Sequence, residues 1–351
     1  MIGAGVVGLS VAWLLQNQGH AVCLIDPQLG RPQTEGAGSS AALGLLMAQV
    51  YRRSSGRGWR LRQQSLQLWQ EWRAQLAARG HALPWRPGLL QLARNAEELQ
   101  AQQRLAAERQ ARGWPLELLS REALQQMQPE LPAALGGLLS PQDGQLDPIP
   151  AMAALLRDGR RLGLTCRSDA VLRLERGTAQ QRWRVELIGG DTLACHWLVL
   201  TAGLGSPALL EPLGHQRPQT PVLGQALELQ LPAQAADPLQ WPASISWAGL
   251  NLVPRPGRRL WLGATLEPGA EPAATALESL LQLEGAAPPW LLEAEVLRHW
   301  QGLRARPEGR PAPLLEQLEP GLLLASGHYR NGVLLAPATA AWVADQISLE
   351  P

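Results

Sequence analysis

Apolar residues dominate positions 6–15, a stretch too short for a membrane span, which needs about 20, and suited to a buried helix closed by Gly19. Residues 21–25 form a short apolar strand. The first 26 residues therefore predict strand, turn, helix, strand, with the first strand reduced to a stub because only Met1 and Ile2 precede Gly3. So short a strand is expected to weaken the centre of its sheet and the hold on anything bound there. Within 59–79, Leu66, Trp69, Trp72 and Leu76 fall on one stripe at helical spacing. Residues 96–113, rich in Ala, Gln and Glu, predict another helix. Apolar pieces at 138–139, 170–174, 183–188 and 197–201 read as strands, as does the block 219–265 with its Pro254-Arg-Pro-Gly257 turn. Helices are predicted over 274–284, 289–299 and 336–347. No internal repeat is present. One domain is thus expected to be discontinuous, built from 1–50, 140–215 and 300–351, with 51–139 and 216–299 forming the other.

Composition narrows the class. With 351 residues, 46% apolar and only 17% charged, the chain can bury the cores of two intertwined domains and is not a disordered polymer. A formal net charge of +1 creates no overall field for nucleic acid or an anionic membrane, so neither is expected as a partner. Lysine and phenylalanine are both absent; every basic side chain except histidine is an arginine, and Schiff-base chemistry on lysine is excluded. Cys23, Cys166 and Cys195 lie far apart with no CxxC, which argues against a zinc or dithiol motif and suits a reducing compartment. No metal is expected. No basic-headed signal segment is visible, so the expected location is the cytoplasm.

The first candidate chemistry is at the start of the chain. Gly3-Ala-Gly5-Val-Val-Gly8 matches GxGxxG, follows a strand stub, opens a helix, and has Asp26 at the end of the next strand. Gly3 permits a tight turn, Gly5 lets backbone approach a pyrophosphate, and Gly8 allows helix and sheet to pack closely. The N–H groups of Val6 and Val7 at the helix start would face the phosphates, and Asp26 would accept from ribose hydroxyls. This pattern indicates a dinucleotide without choosing between NAD and FAD.

The rest of the chain resembles the FAD-dependent D-amino-acid oxidase family, and within it the glycine-oxidase branch tied to thiamine synthesis. Gly327-His-Tyr-Arg-Asn-Gly-Val-Leu-Leu-Ala-Pro337 is similar to that branch's GH(F/Y)RNG(I/V)LLAP signature. Ser39-Ser-Ala-Ala-Leu-Gly-Leu-Leu46 resembles TSAAAGML, Asp143-Gly-Gln-Leu-Asp-Pro148 resembles DGQVDP, and Leu198-Val-Leu-Thr-Ala-Gly-Leu-Gly-Ser206 resembles VVLAAGxWS. Ala170 to Glu175, Pro221 to Gln225, Leu252 to Gly257, Leu262 to Thr265 and Trp300-Gln-Gly-Leu-Arg304 match further segments in the same order. The resemblance implies an α/β (α+β) fold: an FAD-binding Rossmann-like domain with a discontinuous substrate domain on a mixed, mainly antiparallel sheet. It implies FAD contacts from Ser39, Ser40, Ala41, Gly44, Leu45 and Leu46, an adenine contact from Val171, and further contacts from Thr201, Ala202 and Gly203. Around the flavin ring it implies His328, Tyr329, Arg330, Asn331, Gly332, Val333 and Leu334, with Pro337 in the first helical turn and His328 a cofactor-edge or packing residue rather than a base.

The implied activity is oxidation of an amine or amino acid to the imine by hydride transfer to flavin N5, with oxygen as acceptor. Arg304 falls on the family's carboxylate clamp and Arg330 on a second position near substrate. Two alternatives stay open: a dehydrogenase of the same fold passing electrons to a quinone or carrier, and a flavin-binding protein with little catalysis. The family is often oligomeric, which leaves homo-oligomerisation open. Three departures bear on the pocket. Asn251 stands where the pattern has Tyr, Ala305 where it has Pro, and the segment after Leu46 carries Arg52, Arg53, Arg57, Arg60 and Arg62. The pocket is therefore expected to be remodelled. The arginine run reads either as an anion site at its mouth or, more simply, as a solvated helix start.

Overall fold

The stripe at Leu66, Trp69, Trp72 and Leu76 is buried along the Gly56–Ala78 helix, and it shows how the first core assembles. In the computed structural model, which describes residues 1–31, 36–114 and 116–349, this helix packs with Val6–Asn17, Pro148–Arg161 and Gly332–Leu349 against one face of a mainly parallel sheet. In that sheet Thr165–Arg167 pairs with Cys23–Ile25, and Ile2 bridges Ile25 on one side and Leu200 on the other. Leu198–Leu200, Leu322–Ser326 and the antiparallel Leu314–Glu319 complete it. The expected stub is thus a single bridging residue. The opposite face is covered by a three-stranded sheet, Val171–Arg176, Trp183–Leu187 and Thr192–Cys195.

A second sheet of 11 strands carries the rest of the chain. Nine of them run in the order Gly36–Ala37, Glu295–Pro307, Gln219–Gln230, Arg259–Gly263, Leu250–Arg255, Ser244–Trp247, Trp85–Ala93, Gly136–Leu146, Leu45–Leu46, while Glu267–Pro268 pairs with Gln219–Gln230 and Glu117–Ser120 with Gly136–Leu146 off this path. Neighbours are antiparallel except at Ser244–Trp247 with Trp85–Ala93 and at Glu295–Pro307 with Gly36–Ala37. The α/β class with a mixed, mainly antiparallel sheet is as the sequence implied.

Two expectations fail. The helix foreseen over 289–299 is only Pro289–Leu292; from Glu295 the chain is strand, paired with Gln219–Gln230 to Pro307. Backbone pairing along a whole neighbouring strand outweighs the weak local preference of a short Leu- and Glu-containing run. The last helix starts at Gly332, earlier than 336, so Pro337 sits beyond the first turn. Its missing N–H leaves the Val333 carbonyl without its helical donor. The buried Trp69 indole donates to that carbonyl at 2.9 Å, which restores the bond from another helix. The Gly332–Leu349 helix is long and apolar enough by length and composition to cross a membrane, yet it lies in the centre of the first core.

Candidate active site

Gly3 adopts φ +101°, a region that favours glycine, and a Cβ there would stand 2.8 Å from the Thr201 carbonyl. A Cβ on Gly8 would lie 1.9 Å from the Gly3 carbonyl oxygen, so the helix rests directly on the turn. The Thr201 hydroxyl ties that turn down, donating to the Ile2 and Gly3 carbonyls at 2.8 and 2.9 Å. The Val6–Asn17 helix then opens at Gly5 with no side chain from Gly5 to cap it and no acid in its first turn. Its positive end is left for an anion. Ser39 Oγ accepts the Val6 N–H at 3.0 Å. Asp26 accepts from the Ala4 and Gln28 amides, each at 2.7 Å, which fixes its carboxylate at the edge of the turn.

This turn opens into a cavity of about 1320 Å³ that also reaches Asn251, Arg304 and Arg330. An ordinary small-ligand pocket is roughly 300–1,000 Å³, so there is room for a dinucleotide and a second, small molecule. Arg304 lies across Gly224, where a Cβ would meet its guanidinium at 2.2 Å, and donates to the Leu223 carbonyl at 2.9 Å. Burial, and then the neighbouring Arg330, pull its pKa below the ordinary value. Two cations lining one cavity favour an anionic ligand there. Asn251 is buried, and its Oδ1 has no partner among the described residues.

His328 also lines the cavity, yet its ring is buried with Nε2 2.8 Å from the Thr339 hydroxyl. Burial first, and Arg57 second, push its pKa down to about 3, so the ring is neutral. That fits a packing or cofactor-edge residue.

Of the residues expected at the site, Gly3, Gly5, Val6, Val7, Asp26, Ser39, Ala41, Gly44 and Leu45 line this one cavity. So do Thr201, Ala202, Gly203, Asn251, Arg304 and the run His328 to Val333. Gly8 sits behind the turn, Leu46 and Leu334 are in the core, and Val171 lies on the three-stranded sheet. Ser40 lines a smaller cavity of about 440 Å³ beside Trp261 and Trp300.

Two residues that shape the wall were not singled out by the sequence. Asp143 is fully buried and accepts from the amides of Ala48, Gln49 and Val50 at 2.7–3.1 Å, which pins the segment carrying Val50 and Tyr51. Burial pushes its carboxyl up to about 6 despite those donors. Arg109, also fully buried, donates to the Gln49 and Tyr51 carbonyls at 3.0 and 2.5 Å and to Ser54 Oγ at 2.6 Å. Asp143 lies in a motif already noted, whereas nothing in the Ala- and Gln-rich 96–113 segment distinguishes Arg109 from its exposed neighbours.

A nucleotide cradle continuous with a cationic chamber is the plan of a dinucleotide-dependent oxidoreductase, with cofactor and substrate side by side. The acid-free helix start, the glycines in backbone contact and the acid at the strand end all fit such a cofactor. The family model described as FAD dependent oxidoreductase (DAO) matches residues 1–346. The chain belongs to that family, and FAD is its cofactor.

Among its relatives, the glycine oxidase of Geobacillus kaustophilus is 29% identical over 99% of this chain and 92% of its own length. The bifunctional protein ThiO/ThiG of Nostoc sp. is 30% identical, over 99% of this chain and 52% of that protein. The crystal structure of the Geobacillus kaustophilus glycine oxidase superposes with a TM-score of 0.86 at 28% identity, covering 100% of this chain and 94% of that one.

Proposed function

We propose that this protein oxidises a small amino acid or related carboxylate-bearing amine at its C–N bond, with oxygen as the electron acceptor. The observation that carries this reading is Arg304: a guanidinium fixed by one backbone carbonyl, held over Gly224, lining the same cavity as the nucleotide turn. Gly3, Gly5, Val6 and Val7 would hold the pyrophosphate, Asp26 a ribose, and Thr201, Ala202 and Gly203 the ADP half. The segment from His328 to Val333 would hold the flavin ring. Residues 1–50, 140–215 and 300–351 form the FAD-binding half on this reading, although Glu295–Pro307 straddles the boundary at 300 and its last residues, 350–351, lie outside those described.

The chemistry that bound FAD supplies is acceptance of a hydride at N5 and return of two electrons to oxygen as hydrogen peroxide. Arg304, with Arg330, binds the substrate carboxylate and so fixes which hydrogen on Cα faces the ring. Asn251 Oδ1 accepts from the amine N–H and orients the nitrogen lone pair. As the Cα–H bond breaks, that lone pair forms the imine C=N bond; one proton leaves to solvent and water hydrolyses the imine. His328, being neutral and bonded to Thr339, takes no proton in this scheme.

Similarity to glycine oxidases and to ThiO/ThiG points to glycine-like substrates and a link to thiamine synthesis. Three unpaired cysteines suit a reducing compartment and hence the cytoplasm. The direct test is anaerobic mixing of the purified flavoprotein with glycine, sarcosine and D-amino acids. Bleaching of the visible flavin band, followed by peroxide on admitting air, is expected. Bleaching without peroxide would place the acceptor elsewhere, and no bleaching by any amine would refute the reading.

A further inference from the structure

Arg62 is the one member of the arginine run that is buried, only 9% exposed, and it lines the FAD cavity. Its guanidinium stacks 3.8 Å from the centre of the Tyr51 ring. It donates to the Gly58 carbonyl and to Asn331 Oδ1, each at 3.1 Å. Its Nε has no partner, and no carboxylate pairs with it, among the described residues. The other cations of the run are exposed, and Arg52 joins Arg62 on the cavity lining. The acid at this side of the cavity, Glu108, is already paired with Arg112 at 3.1 Å.

A buried guanidinium without a counter-ion is costly, and an anion that reaches it offsets that cost. One substrate carboxylate is taken by Arg304 with Arg330. The residue next to Arg330 is Asn331, which holds Arg62, so a third guanidinium lines the same cavity, its buried Nε unmatched among the described residues.

We propose that Arg62 receives a second anionic group on the substrate, making this an oxidase for amines that carry two acidic groups, such as N-carboxymethyl amino acids or acidic amino acids. This rests on the amine-oxidation reading for the reaction, though not for the binding. Tyr51 orients the guanidinium by stacking, and Arg52 at the rim draws the anion in. The segment after Leu46, where the chain departs from its family pattern, supplies Tyr51 and Arg52 and leads into the helix that bears Arg62.

The test uses two ligands that cannot be oxidised at nitrogen: methoxyacetate, with one carboxylate, and diglycolate, with two. Each is titrated into the FAD-loaded protein and followed by the flavin absorption change. Diglycolate is expected to bind at least tenfold more tightly than methoxyacetate, and Arg62→Ala to remove most of that advantage. Arg62→Gln, which keeps an unbranched polar stem through Cδ but no charge, controls for part of the lost packing and should behave like Arg62→Ala. Equal affinities for the two ligands in the unaltered protein overturn the proposal. So does an equal loss for both in the variants, or loss of FAD itself, which would assign Arg62 to the cofactor. If diglycolate binding depends on Arg62 but iminodiacetate, glycine and D-aspartate all fail to bleach the flavin, the anion site stands and the amine-oxidation reading falls.

Discussion

Arg304 can lie across its strand because Gly224 has no side chain, and this close approach gives the residue scale its sharpest prediction. Gly224→Ala would push the guanidinium out of place without touching the nucleotide turn. It should raise the KM for carboxylate-bearing amines while FAD content is retained, as read from the ratio of flavin to protein absorbance. Arg304→Ala should cost more. Losing one side of a buried charge-assisted pair is worth about 2 kcal/mol or more, a drop of at least roughly 30-fold in kcat/KM. If the two variants match the unaltered protein with every amine tested, the carboxylate clamp is elsewhere. Arg304 itself was legible from the WxGLR resemblance. The role of Gly224 was not, because it exists only once two adjacent strands bring the residues together.

Among the elements, two buried bonds join Gly56–Ala78 to Gly332–Leu349: Trp69 Nε1 donates to the carbonyl that Pro337 leaves open, and the Ala338 N–H donates to Ser65 Oγ at 3.1 Å. Trp69→Phe keeps most of the apolar contact and removes the donor. A buried carbonyl left unsatisfied costs about 1–3 kcal/mol, so thermal or denaturant unfolding should register a loss of that size. A smaller loss would mean that the helix bends to repair the gap. The stripe that includes Trp69 could be read from periodicity alone. Its hydrogen-bonding partner lies 264 residues away in sequence, beyond the reach of any local pattern. The helix Pro148–Arg161 and the strand Trp85–Ala93 were also missed. Proline and glycine within both blur the local signal, and burial against neighbouring elements decides each structure.

At the scale of the whole molecule, two buried titratable groups pull stability in opposite directions with pH. His328 is held near 3, below its unfolded value of about 6.5. It contributes stability above pH 6.5 that is lost as pH falls towards 3. Asp143 is held near 6, above its unfolded value of about 3.9. Its contribution is full below pH 4 and lost as pH rises through 6. Between pH 4 and 6 the two oppose each other. Relative to the unaltered protein, His328→Asn should therefore gain stability on acidification through that window and Asp143→Asn should lose it, as read from Tm against pH. A shared sign for the two variants would contradict the burial of one of them. Because the cavity is lined by elements from both ends of the chain, FAD bound there should also raise Tm; at a free concentration of 100 times Kd the gain is about 2.7 kcal/mol. No change in Tm would mean that the cavity does not hold the cofactor. By itself the sequence determined the α/β class, the GxGxxG turn with Asp26, the family, and the arginine run, since each depends on neighbours in sequence or on a motif carried whole. Only the tertiary structure decided that Arg62 alone of that run is buried, without a carboxylate partner among the described residues, that Asp143 and Arg109 hold the cavity wall, and that 295–307 is a strand. Burial and strand pairing are set by residues distant in the chain, and local pattern carries no record of which distant groups will meet.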